Sequence, residues 1–270
     1  MKPATPNPRN DSVMVEIGGM AIGLRTQDPV FRNLLEARYA GFIGKSGRPD
    51  FDFDIDLYES GYAPDEDVQV RMEGDAWVLT RGDFRGCWVP GSRHGHVRQA
   101  NSPYAIDSVL RIVHSLLLAR QGGFLLHAAS TIRDGRAFLF AGVSGAGKTT
   151  IARLAPADCT LLTDEISYVR RDQETYFACG TPFSGELGKP GENRSAPLRT
   201  LFFLEKGSDN RIETVSAGDA VRLLLRNILF FADDGELVRR VFQSACEFVE
   251  RVQVRKLVFM PHAAVWEIIR

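Results

Sequence analysis

Cysteine is scarce and unpaired in this sequence: Cys87, Cys159, Cys179 and Cys246 lie far apart and no CxxC occurs. That spacing excludes a zinc ribbon and a disulfide framework, and the expected setting is a reducing cytoplasm. An excess of charge of either sign is missing too. The chain carries 33 Lys and Arg against 34 Asp and Glu, a formal net charge of −1. Without a basic field there is no long-range steering toward nucleic acid, which is not an expected partner. No apolar run approaches the roughly 18 residues of a membrane helix. The densest, residues 223–231, is broken by Arg226 and Asn227, so no membrane association is expected. Residues 1–12 are polar, hold three prolines and lack the apolar stretch of a secretory signal. They read as a loose tail.

What is present is an ordinary globular composition. With 270 residues, 44% of them hydrophobic and 25% charged, the chain is long enough to bury a sizeable core in one or two domains. Residues 13–102 alternate between polar and apolar in short stretches punctuated by Gly, Asp and Pro. The clearest is Phe51-Asp52-Phe53-Asp54-Ile55-Asp56-Leu57, a half-buried strand. Further strands are predicted over 68–72, 76–80 and 87–89, with one helix over 30–39, giving a β-rich N-terminal lobe. His94-Gly95-His96 is read as a solvated turn rather than a metal site, because no Cys or acid is adjacent in sequence.

The period then changes. Ile106, Val109, Leu110, Val113, Leu116 and Leu117 recur at three and four residues, a helix that starts near Ser102-Pro103 and stops before Gly122-Gly123. Residues 103–270 read as one α/β domain. Strands are predicted over 124–132, 137–141, 160–163, 201–204 and 257–259, with a hairpin over 168–179. Amphipathic helices are predicted over 217–231 and 235–249, with Phe230 and Phe231 in the core of the first. Trp266 is expected to pack down the last helix.

One motif carries strong chemical information. Gly142-Val143-Ser144-Gly145-Ala146-Gly147-Lys148-Thr149 matches GxxxxGK[ST] in full and lies between a predicted strand and a predicted helix. Glycines let the backbone approach phosphates and aim N–H groups at them, and the helix N-terminus adds partial positive charge. Lys148 would reach the β- and γ-phosphates, Thr149 would place its hydroxyl on Mg²⁺, and Thr150 would complete the cradle. A triphosphate with its metal also needs an acid to hold the ion or accept a proton. Asp164-Glu165 closes the next apolar strand and, in a parallel arrangement, would emerge beside Lys148.

These residues resemble a known family. Leu126-His127-Ala128-Ala129, the GxSGxGKT loop and the acidic pair at the next strand end are similar in order and spacing to the catalytic domain of HPr kinase/phosphorylase, over residues 124–205. The resemblance implies an α/β fold: a P-loop kinase core of the HPr kinase/phosphoenolpyruvate-carboxykinase type with a β-rich N-terminal lobe. It implies ATP and Mg²⁺, with Asp164 as general base and Glu165 helping to bind metal, where the family usually has two aspartates. It places His127 near the acids. It assigns residues 180–194, rich in Gly and Pro, to substrate and phosphate closure, with Glu186, Lys189 and Arg194 as candidate contacts. Relatives often form closed oligomers, so a homo-oligomer is among the assemblies the resemblance allows.

The expectation is an ATP- and Mg²⁺-dependent kinase acting on a hydroxyl of a peptide, a protein or a small alcohol. Two rivals stand beside it. One is carboxykinase chemistry, for which matching Lys and His ligands are missing. The other is a nucleotide-binding switch or assembly factor that hydrolyses ATP slowly.

Overall fold

A computed structural model of the chain describes residues 12–44, 47–59 and 67–270. The expected tail lies outside these residues except for Ser12. The chain divides into two compact units, Met1–Leu110 with Phe231–Asp233, and Arg111–Phe230 with Asp234–Arg270. The division thus falls inside a helix rather than at the residue 102/103 boundary suggested by the change of period.

The first unit is built on a sheet of β1 (Ser12–Ile17), β2 (Met20–Thr26), β3 (Phe51–Tyr58), β4 (Gln69–Glu73), β5 (Ala76–Arg81), β6 (Phe84–Val89) and β7 (His94–Ala100), in the order β1-β2-β3-β7-β6-β5-β4. The strict alternation of β3 turns Phe51, Phe53 and Ile55 into the core and leaves the aspartates on the other face. One helix, α1 (Pro29–Arg38), starts where Asp28 accepts hydrogen bonds from the amides of Val30 and Phe31 and a proline takes the first turn. It buries Phe31 and Leu35.

His94 and His96 lie on β7, not in a turn. β7 pairs in parallel with β3, which brings His94 Nε2 to 3.3 Å from Asp54 and His96 Nε2 to 2.8 Å from Asp56. Acidic partners exist after all, some 40 residues away in sequence. Among the described residues no group of three or more His, Cys, Asp or Glu is arranged to hold a metal.

α2 (Pro103–Gln121) runs from the first unit into the second, and buries Ile106, Val109, Leu110, Val113 and Leu116 as their spacing predicts. The second unit then holds β8 (Phe124–Arg133), β9 (Arg136–Ala141), α3 (Lys148–Arg153), β10 (Thr160–Thr163), β11 (Ile166–Asp172), β12 (Thr175–Cys179), β13 (Ser195–Lys206) and β14 (Arg211–Thr214). α4 (Ala217–Leu225), β15 (Ile228–Leu229), α5 (Gly235–Arg251) and β16 (Gln253–Phe259) complete it, with a final 3-10 helix Ala263–Glu267.

β8 organises this sheet. Its first half pairs with β11 and β15, and its second half with β9 on one side and β10 on the other, all antiparallel. Two strands antiparallel to the same neighbour run the same way, so β9 and β10 end together although they never touch. β13 continues from β9 in parallel, and β16 from β13. β10 therefore runs in the same direction as β9 with antiparallel β8 between them, and the acid pair emerges at the same end of the sheet as the glycine-rich loop.

The helix predicted over 217–231 stops at Leu225. The Asn227 side chain donates to Leu223 O while its backbone carbonyl accepts from His127 N at 2.7 Å, which ties the chain to β8 as β15. Phe230 and Phe231 lie beyond the helix and are only half-buried. Trp266 is in the terminal 3-10 helix, where it packs edge-on to Phe140 and donates from Nε1 to Ile151 O. Among the described residues no helix is long and apolar enough to cross a membrane.

Candidate active site: a cleft at the carboxyl ends of β9, β10 and β13

β9 is almost wholly buried, and the chain leaves it at Ala141 into the glycine-rich loop of residues 142–147. Gly147 begins the next turn with φ +109°, a left-handed conformation, and a Cβ there would come within 2.7 Å of Phe259 Cζ. Only glycine fits that position without strain. Lys148 opens α3, a helix of six residues, so polarity from the helix is confined to the amides of its first turn. The ammonium of Lys148 turns back over the loop and donates to Gly142 O at 2.9 Å and Val143 O at 3.3 Å. Burial pushes its pKa down, and the carboxylates of Glu165 and Glu186 pull it back up. Val143 stands out at the tip, 79% exposed, while Ala146 packs into the core beside Ile151 and Phe259.

Beside this loop lies a cleft of about 240 Å³. The loop and helix contribute Ser144, Gly145, Gly147, Lys148, Thr149 and Thr150 to its wall. His127, Asp164, Glu165, Gly185, Glu186 and Lys206 complete it. Gly142, Val143 and Ala146 shape the loop without lining the cleft.

His127 sits where β8 changes partners, one residue before the pairing of Ala128 with Ala141. Its pKa is lowered by burial and by the positive charges of Lys148 and Arg111, so the ring is neutral near pH 7. Asp164 and Glu165 follow β10 in a turn closed by Thr163, whose hydroxyl accepts from the amides of Glu165 and Ile166. The two acids diverge. Asp164 is 2% exposed and accepts from Gly185 N at 2.8 Å and Leu187 N at 2.9 Å, whereas Glu165 is half-buried against the cleft.

Of the three residues expected from the 180–194 segment, Glu186 reaches the cleft and two do not. Arg194 donates to Thr160 Oγ1 at 2.9 Å and lies 3.8 Å from Glu192 on the surface, and Lys189 is exposed away from the wall. The segment folds back along β10, so its far end is carried past the site. Two residues at or near the cleft are not singled out by the sequence, Lys206 and Arg111. Lys206 is the last residue of β13, which runs parallel to β9, and the rule that placed the acids at a strand end finds it when applied one strand further. The Arg111 guanidinium stacks 4.8 Å from the centre of the Phe183 ring, and its charge reaches His127. No sequence signal marked it.

The side-chain oxygens around the cleft belong to the Ser144, Thr149 and Thr150 hydroxyls and the Asp164, Glu165 and Glu186 carboxylates. The three carboxylates do not converge on one point, so a magnesium ion here would take one or two of these hard oxygens and complete its shell with waters and phosphate oxygens.

Comparison with known proteins gives three results. None of the curated proteins matches the chain. Among solved structures it is similar to the Hpr(Ser) kinase/phosphatase from Coxiella burnetii, at 11% identity and a TM-score of 0.26, covering 47% of this chain and 90% of that one. The family model described as ScmC, SynChlorMet cassette protein, matches residues 99–270, more than half of the sequence and all of the cleft, and the chain belongs to that family.

Proposed function

We propose that the protein is a phosphotransferase that binds ATP with Mg²⁺ in this cleft and passes the γ-phosphoryl group to a hydroxyl acceptor on a peptide, a protein or a small alcohol. The observation that carries the reading is the complete GxxxxGKT run, with its lysine buried at 8% exposure and facing carboxylates from two other segments. An anion cradle alone would serve any nucleotide-binding protein. Acids opposite it suit removal of a proton from an attacking oxygen.

In this reading the loop amides cradle the β- and γ-phosphates. Lys148 exchanges its bonds to the carbonyls of Gly142 and Val143 for phosphate oxygens. Lys206 adds a second positive charge at the mouth. The Thr149 hydroxyl with Glu186 and the phosphate oxygens would hold Mg²⁺, which would supply neutralisation of the triphosphate charge. Neutral His127 beside the lysine offers a hydrogen bond without adding to the charge. A carboxylate of the acidic pair takes the hydroxyl proton.

Labelled ATP tests the proposal. Incubated with Mg²⁺ and a panel of hydroxyl-bearing peptides and polyols, a phosphotransferase moves the γ-label to one of them. Release of inorganic phosphate alone, whatever the acceptor, would favour a nucleotide-driven switch, and no binding of ATP would end the reading.

A further inference from the structure

The two acids at the end of β10 occupy different environments, and the difference bears on which of them meets the reacting atoms. Both oxygens of Asp164 are engaged by main-chain donors, Oδ1 by Gly185 N at 2.8 Å and Oδ2 by Leu187 N at 2.9 Å. Charge-assisted bonds of this length, at a side chain 2% exposed, fix a carboxylate firmly. The contact is close-fitting on the other side too. A Cβ on Gly185 would lie 2.9 Å from Asp164 Oδ2 and 3.0 Å from Glu165 Cβ, so any side chain there would push against both acids.

Residue 186 lies between the two amides that Asp164 holds. With its neighbours pinned, Glu186 is directed into the cleft, where its charge acts on Lys148. The pinning is reinforced downstream, where Leu187 packs against the cluster that contains Ile151 and Phe259, and Gly188 N closes a turn onto Gly185 O at 3.0 Å. Upstream, Thr163 Oγ1 donates to Phe183 O and Thr181 Oγ1 to Ile166 O. The segment from 181 to 188 is thus fastened to the turn that follows β10 at four points, two of them on one aspartate.

We infer that Asp164 is a positioning residue, whose carboxylate clamps the backbone of Gly185 and Leu187 and so aims Glu186 into the cleft, and that the proton-accepting part falls to Glu165. The inference rests on the phosphotransfer reading for its second half only. In the step it describes, the acceptor O–H bond breaks and its proton passes to the Glu165 carboxylate. The oxygen bonds to the γ-phosphorus, and the bond from that phosphorus to the bridging oxygen breaks, leaving ADP with the electron pair. With water as acceptor the products are ADP and inorganic phosphate.

The test compares D164N, E165Q, E186A and the double variant D164N/E186A in the full chain, by amide hydrogen exchange and by phosphate release from ATP with Mg²⁺ and water as acceptor. Asparagine keeps one acceptor but sets an N–H₂ against the second amide. In D164N the amides of Gly185 and Leu187 are expected to exchange at least tenfold faster, and phosphate release to fall about tenfold. E165Q is expected to leave that exchange unchanged and to lower release at least a hundredfold, the scale of a lost general base. If Asp164 acts through Glu186, the double variant falls no further than E186A alone. Unchanged exchange in D164N overturns the clamp. Multiplicative losses in the double variant, or a D164N defect as deep as that of E165Q, overturn the division of roles. A wild-type protein that neither releases phosphate nor labels any hydroxyl acceptor sinks the phosphotransfer reading and with it the role of Glu165, while the exchange data still decide the clamp.

Discussion

Replacing Gly147 by alanine probes how tightly the glycine-rich loop is built. At φ +109° an L-residue is strained by about 1–3 kcal/mol. The added methyl group would also sit 2.7 Å from Cζ of Phe259, a ring 2% exposed and held in the core, so relief requires the ring or the loop to move. Overpacking of that kind costs about 1–3 kcal/mol. Together the terms reach about 2–6 kcal/mol, against a total stability of about 5–15 kcal/mol for an ordinary domain. Gly145→Ala is the internal control. It has φ +75° but nothing within 4 Å of its would-be Cβ, so only conformational strain of about 1–2 kcal/mol applies. Hydrogen exchange of the β9 and β13 amides under native conditions reads the stability of the second unit alone, which global melting of a chain with two units would blur. Gly147→Ala should lower protection markedly more than Gly145→Ala, and Phe259→Leu should recover the difference in the double variant. Equal losses at 145 and 147, or no coupling with Phe259, would refute the claim that the ring forms the wall behind the loop.

Lys148→Met keeps most of the buried packing and removes the charge. ADP with Mg²⁺ should bind about 10- to 100-fold more weakly by calorimetry, about 1.5–3 kcal/mol for a charge-assisted bond, and unaltered affinity would remove the lysine from the site. Arg194→Ala should leave phosphate release within twofold of wild type, since that side chain is engaged with Thr160 on the surface; a deep loss would bring the far end of the segment back into the site. His114 is fully buried and its pKa is lowered from 6.5 to about 3 by burial. The folded form therefore refuses a proton that the unfolded chain accepts. Its contribution to stability is complete above pH 6.5 and is lost as pH falls toward 3, by up to about 1.4 kcal/mol per pH unit. Denaturation measured across that window should show a shallower slope in His114→Phe, and an identical slope would contradict the assignment.

How much of this was legible beforehand follows from how local each signal is. The strand, loop and helix around Lys148 are written in contiguous residues, and so are the acids at the end of β10. Pairing is not. β10 and β9 flank β8 because of hydrogen bonds made by residues 128–133, and no local pattern states on which side a strand will lie. α4 ends early through a bond between His127 and Asn227, a hundred residues apart, which overrides an amphipathic pattern that would continue through Phe231. The acids beside His94 and His96 are hidden from a local pattern for the same reason, since they arrive on another strand. Lys206 is visible only at the end of a further strand, and the resemblance that assigns residues 180–194 to the site, with Lys189 and Arg194 as its cations, does not state that the segment folds back along β10.

The fork in β8 constrains how this protein can change. Side chains on a strand alternate in direction, so deleting one residue near Leu126 would reverse the facing of one half of β8 relative to the other and spoil four pairings at once. Length variation is therefore closed to that strand, and new chemistry can be sampled only by altering the segments that hang from the strand ends, chiefly the one that carries Glu186.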